Sequence, residues 1–134
     1  SIGIGQLEYL QDKVRKKREI FDFYKNELSL IKEISFLEEL SQSFSNYWLT
    51  TIILDKRDII DREKLRLHLL EDNIESRALW KPMHLQPVFK NCQSYVNGVS
   101  EDLFNTGLCL PSSTNMTNKD LKRVVQKVKE LYEI

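Results

Sequence analysis

The sequence predicts an α+β domain, a small and largely antiparallel sheet covered by helices, with a long helix at its N-terminal end. Three observations carry this reading. Apolar residues recur at three- and four-residue steps from Ile4 to Leu28. After Leu30, short runs rich in β-branched and aromatic residues alternate with shorter helical patterns. The chain has 134 residues, 41% hydrophobic and 30% charged, with only four glycines and three prolines, which is the size and composition of one folded domain.

The first helix is amphipathic. Leu7, Leu10, Val14, Phe21, Tyr24 and Leu28 form its apolar stripe, interrupted at Lys17. The basic run Lys13 to Arg18 reads as a solvated face, and Phe21, Phe23 and Tyr24 as core or interface. Residues 1–29 form a long connecting helix and residues 30–134 the α+β body. The helix is too long for that body to cover, so part of its stripe should face something else.

Glu33 to Leu37 reads as a short strand and Tyr47 to Leu54 as a strong one. A polar turn, Asp55 to Asp58, leads to a helix from Arg62 to Glu71 with Asp61 as N-cap and Asn73 near its end. Ile74 to Trp80 is extended, and the prolines of Lys81-Pro82-Met83-His84-Leu85-Gln86-Pro87 predict an irregular loop. Ser100 is expected to cap a helix over Glu101 to Thr106 that Gly107 closes. Leu108 to Leu110 is a brief strand stopped by Pro111. Thr117 and Asp120 then open the last helix as a capping box, with Leu121, Val124, Val125, Val128, Leu131 and Tyr132 facing inward.

Formal net charge is zero, so no overall basic field exists to attract nucleic acid or an anionic membrane. No apolar run has the length of a membrane-spanning helix. Cys92 and Cys109 make neither a disulfide framework nor a metal-ligand spacing, so reduced thiols and a cytoplasmic setting are expected. The chain opens Ser1-Ile2-Gly3 without an initiator methionine, and helical periodicity starts at once. We read it as a piece of a longer polypeptide, so a missing signal peptide carries no information.

No nucleophile elbow, Gly-rich phosphate loop or metal cluster is present in the sequence. Gly3 and Gly5 lie in a helical segment, where close packing against a neighbour is the expected role. His68, mid-helix, reads as a surface or half-buried histidine. The informative stretch runs from Glu75 to His84. Arg77 and Lys81 supply cations, Trp80 a flat apolar surface and His84 a protonatable ring, all ending in a proline-stiffened loop. That combination suits a phosphorylated or carboxylate ligand; the alternative reading makes Trp80 a core residue and leaves the charges solvated.

Four segments in order carry a resemblance. Gly3-Ile4-Gly5-Gln6-Leu7-Glu8, Asn46-Tyr47-Trp48-Leu49, Trp80 through Phe89, and Gly107-Leu108-Cys109-Leu110-Pro111-Ser112 with Met116-Thr117 together resemble the C-terminal region of the DegT/DnrJ/EryC1/StrS aminotransferases. The resemblance implies a fold-type-I enzyme that uses pyridoxal 5'-phosphate to move an amino group, usually from glutamate, onto a nucleotide-linked keto-sugar. It is most similar to members acting on 4-keto-6-deoxy-N-acetylhexosamines that feed surface polysaccharides and glycoproteins. The family's cofactor-holding lysine, acid and phosphate contacts lie in a large N-terminal domain outside this chain, so no catalytic or cofactor-binding residue is assigned here. Arg77, Trp80, Lys81 and His84 are assigned to substrate binding, as one wall of a cleft shared across a homodimer. Two other classes fit the residues: a stand-alone module binding a phosphorylated ligand, and a structural dimerisation domain.

Overall fold

A computed structural model describes residues 2–133. The predicted N-terminal helix is two helices, α1 (Ile2–Glu8) and α2 (Leu10–Leu28). They are separated at Tyr9, whose φ of −103° and ψ of 6° leave the helical region. The second half of α2 is an integral part of the core, through Ile20, Phe21, Tyr24 and Leu28. Ile4, Leu7, Tyr9 and Leu10 remain exposed, as the excess length of the stripe predicts.

The sheet has four antiparallel strands, β1 (Ile34–Phe36), β2 (Thr50–Leu54), β3 (Arg77–Ala78) and β4 (Gly107–Leu110), in the order β1-β2-β4-β3. The β-branched run Thr50-Thr51-Ile52-Ile53-Leu54 sits centrally because both faces of a central strand are covered. Ile52 pairs with Phe36 on one side and Leu108 on the other; Thr50 pairs with Leu110. The core joins these residues to α2, to Leu65 and Leu69 of α3 (Arg62–Glu71), and to Leu121, Val124, Val125 and Val128 of α5 (Asn118–Leu131). Each such side chain, fully buried, contributes about 1.5–3 kcal/mol by removal from water.

Local chemistry fixes the element ends. Asp61 accepts from the Lys64 amide and caps α3, and Asn73 turns the chain back with φ 56°. Thr117 and Asp120 form the full capping box of α5. Helix α4 (Val99–Thr106) differs from expectation: Gly98, at φ 83°, occupies the N-cap position, and Ser100 lies inside the helix. The left-handed backbone that a glycine admits starts the helix two residues earlier than Ser100 would. Gly107 closes α4 as expected, its amide donating to the Leu103 carbonyl, but in extended rather than left-handed backbone. It is the first residue of β4, and a side-chain carbon there would collide with Leu79 and lie 2.5 Å from the Leu103 carbonyl oxygen. Gly3 and Gly5 have open space instead, so the expected close packing is not met within this chain.

Strand β2 begins at Thr50 rather than Tyr47. Tyr47 has φ 43°, and its ring stacks on Phe21 at 3.8 Å, pulling the start of the segment off the sheet and onto α2. The proline-bracketed loop contains two short 3-10 turns, Met83–Leu85 and Pro87–Phe89. Cys92 is exposed, Cys109 is buried, and both are free. No described helix is long and apolar enough to cross a membrane.

A candidate cleft wall and a cation-lined cavity

Two features open at the β3 side of the sheet. The first is a cavity of about 560 Å³ between the edge strand, α2 and α5. Its apolar lining comes from Leu49, Ile74, Leu110, Met116 and Val124, and its cations are Lys17, Arg77 and Arg123.

Lys17 is the residue that the sequence reading placed wrongly. Its ammonium turns inward and donates to the backbone carbonyls of Trp48 at 2.7 Å and Ser112 at 2.6 Å. Burial holds its pKa below the ordinary lysine value. Arg18 turns in as well, with two bonds to the Glu39 carboxylate at 2.7 and 3.0 Å and one to the Ser45 carbonyl at 2.5 Å. The run Lys13 to Arg18 is therefore not a uniformly solvated face. Half a turn of it anchors α2 to the loop between β1 and β2. The signal was present in the sequence, because Lys17 interrupts the apolar stripe and so stands on the inward side.

Arg77 lies on β3 opposite Cys109 and pairs with Glu75 at 2.7 Å. Arg123 pairs with Asp72 at 3.0 Å and donates to the Asp72 carbonyl. Asp120 is occupied by the α5 cap, where bonds from the Thr117 hydroxyl and amide depress its pKa. Ser76 is 8% exposed, and its hydroxyl has no hydrogen-bond partner among the described residues.

The second feature is an aromatic plate. Trp80 is 67% exposed and stacks on Trp48, itself 60% exposed, with ring centroids 5.9 Å apart. Both border a shallow groove with Leu37, Tyr47 and Leu79. Trp80 is thus a surface residue, not core. Lys81 is exposed, and its ammonium has no partner among the described residues. His84 is turned toward α4, with Nε2 2.8 Å from a Glu101 carboxylate oxygen. Of the four residues assigned to substrate binding, Arg77 faces the cavity and Trp80 the groove; Lys81 stands in solvent and His84 is tied to Glu101.

The lysine and the glycines described around the cavity are not arranged as a pyridoxal phosphate site requires. That group needs a lysine to hold it, an acid beside its ring nitrogen and a cradle for its phosphate. Lys17, the lysine lining the cavity, is committed to two carbonyls, and the described glycines form no phosphate loop. His68 is half-buried, 3.6 Å from Glu71, and no described cluster of His, Cys, Asp or Glu could hold a metal ion.

The architecture is that of one part of an aminotransferase. It superposes on the aminotransferase TlmJ of Streptoalloteichus hindustanus with a TM-score of 0.85 at 23% identity, covering 98% of this chain and 35% of that one. Helicobacter pylori PseC, an aminotransferase involved in pseudoaminic acid biosynthesis, gives 0.85 at 17% identity, with 98% and 36% covered. The sequence carries the assignment further. Residues 1–129 match the model of the DegT/DnrJ/EryC1/StrS aminotransferase family, and the chain belongs to that family. It is 42% identical to the Bacillus subtilis (strain 168) "Putative pyridoxal phosphate-dependent aminotransferase EpsN" over 98% of its length. It is 31% identical to the GDP-perosamine synthase of Escherichia coli O157:H7, again over 98%. The chain spans only 34% and 35% of those two proteins.

Proposed function

We propose that this chain is the C-terminal small domain of a pyridoxal phosphate-dependent transaminase that moves an amino group from glutamate to a nucleotide-linked 4-keto-6-deoxy sugar. By itself it is catalytically silent. The observation that carries this reading is the coverage: nearly the whole chain matches aminotransferases, yet it spans about a third of each. The remaining length of those relatives is where the cofactor's lysine, acid and phosphate cradle belong, since the residues here do not make that set.

In the complete enzyme, a cytoplasmic homodimer on this reading, the chain supplies one wall of the substrate cleft. The Trp48–Trp80 plate offers an apolar face to a sugar or base. The unpaired Lys81 ammonium and the Arg77 guanidinium offer charge to a diphosphate. Glu101 orients His84 for a hydrogen bond to the sugar.

The test joins this chain to its cofactor-binding portion and measures steady-state kinetics. Lys81→Ala and Trp80→Ala should each raise the apparent KM for the sugar nucleotide about tenfold, with cofactor absorbance unchanged. Wild-type kinetics in both variants would remove this wall from the cleft. Amino transfer by the isolated chain with added cofactor would overturn its silence.

A further inference from the structure

We propose that Arg18 and Glu39 are positioning residues for the sugar nucleotide, acting through Trp48, whose ring they fix against Trp80. The substrate role rests on the cleft-wall reading, and the clamp on Trp48 rests on the geometry of this chain alone.

Trp48 needs holding. It lies near the end of a segment, residues 37–49, that forms no helix or strand. A segment of that length moves unless something ties it down. The Trp48 ring is 60% exposed, so core packing does not set its direction. The two indoles nonetheless stack, tilted by only 22°. Trp80 takes its place from the sheet, because it directly follows Leu79, whose amide donates to the Gly107 carbonyl at 3.4 Å. Trp48 precedes its strand and takes its place from α2.

The hold has three parts. Arg18 pairs with both Glu39 oxygens and donates to the Ser45 carbonyl, while Glu39 accepts from the Ser45 amide at 2.5 Å. One ion pair thus binds both backbone polar groups of Ser45, and the planar fork of Arg18 sets orientation as well as distance. Tyr47 is the second part. Its ring stacks on Phe21, its hydroxyl accepts from the Glu39 amide at 3.1 Å, and the Arg18 guanidinium lies 5.1 Å from the ring centre. Its φ of 43° is left-handed, a backbone that a residue with a large ring adopts where its surroundings impose it. The Tyr47 ring is buried against α2 while the next ring, Trp48, stands in solvent. The third part is Trp48 itself, whose carbonyl accepts from Lys17 and whose amide donates to Asn46 Oδ1 at 3.1 Å.

Stability alone does not call for this arrangement. The Arg18 and Glu39 side chains are 30% and 23% exposed, and the hydration they give up offsets much of their attraction. An apolar contact would tie the segment to α2 equally well. What the bidentate pair adds is a fixed direction. A plate built from two exposed rings needs one, because a misplacement of about 1 Å is enough to spoil the fit to a substrate.

The test uses the chain joined to its cofactor-binding portion, with fluorotryptophan incorporated. Fluorine NMR reads the Trp48 resonance, assigned by its loss in Trp48→Phe and displaced by the neighbouring Trp80 ring. Arg18→Lys and Glu39→Gln should each move it to the position it takes in Trp80→Phe, where the stack is gone. Both should also raise the KM for a UDP-linked 4-keto-6-deoxy-N-acetylhexosamine about tenfold, with kcat unchanged. Val128→Ala, a core variant on α5, should lower the thermal midpoint yet leave resonance and KM at wild type. If it moves them as far, Arg18 and Glu39 act through stability and the proposal is overturned. A Trp48 resonance that stays in place in the clamp variants overturns it whatever the kinetics. So does a moved resonance with wild-type KM, provided Trp80→Ala does raise KM. If Trp80→Ala leaves KM unchanged as well, the cleft-wall reading fails and takes the substrate role with it, while the moved resonance still supports the clamp on Trp48.

Discussion

Leu10 and Leu28 occupy the two ends of one helix, yet Leu10 is 44% exposed and Leu28 is fully buried. The periodicity of α2 treats them alike, since both fall on its apolar stripe. What separates them is tertiary. Leu28 meets the sheet and α5, while the neighbourhood of Leu10 is α1, whose Ile4 and Leu7 are exposed too. Apolar spacing therefore reports which face of a helix is apolar, and not whether the same chain covers it. On the proposed reading, the remainder of a longer enzyme covers the N-terminal half.

Identical substitutions at the two ends break this comparison most sharply. Leu28→Ala should cost about 2–5 kcal/mol in urea unfolding, because the cavity it leaves is walled by fixed neighbours. Leu10→Ala should change stability by about 0.5 kcal/mol or less. Equal effects would mean that α1 packs onto the body in solution. Glycines repeat the contrast at smaller scale. Gly107→Ala forces a carbon against Leu79 and the Leu103 carbonyl, and overpacking of that kind costs about 1–3 kcal/mol. Gly5→Ala enters open space in a helix and should raise the helicity of α1, with a local gain of about 0.8–1 kcal/mol, while leaving the unfolding midpoint near wild type. Circular dichroism and denaturation curves read both.

What the sequence made legible was decided by how local the cause was. Asp61 and the Thr117–Asp120 box were readable because a cap is a bond between residues three apart. The pattern of α5 was readable because a single stripe meets a single core. Ser100 misled because its chemistry suits an N-cap, and nothing nearby announces that Gly98 takes the left-handed turn first. Tyr47 misled because its β-favouring ring serves a stack on Phe21, 26 positions away in the numbering. The site followed the same rule. Arg77 and Trp80 could be singled out because they lie within a few residues of other binding-type residues. Lys17, Ser76 and Arg123 come together only through the fold, from α2, the approach to β3, and α5.

Ion pairs carry the comparison to its finest level. Bonds from Arg18 and then from the Ser45 amide hold the Glu39 carboxyl at about 2, below its ordinary 4.5. Bonds from the Arg57 side chain and amide likewise hold Asp55 at about 2, below 3.8. A carboxyl whose folded value is depressed stabilises fully above its unfolded value and loses that contribution as pH falls toward the folded one. For Glu39 the window runs from pH 4.5 down to about 2, and for Asp55 from 3.8 down to about 2. The two differ in reach. Glu39 and Arg18 are 21 residues apart and meet only in the folded chain, whereas Asp55 and Arg57 are two apart and can keep much of their contact after unfolding. Linkage counts only the difference between the two states. Glu39→Gln should therefore flatten the fall of the thermal midpoint between pH 4.5 and 2, and Asp55→Asn should alter it much less. If Asp55→Asn flattened the profile as strongly, the Arg57 contact would have to be a property of the fold, and sequence distance would not be what separates the two pairs.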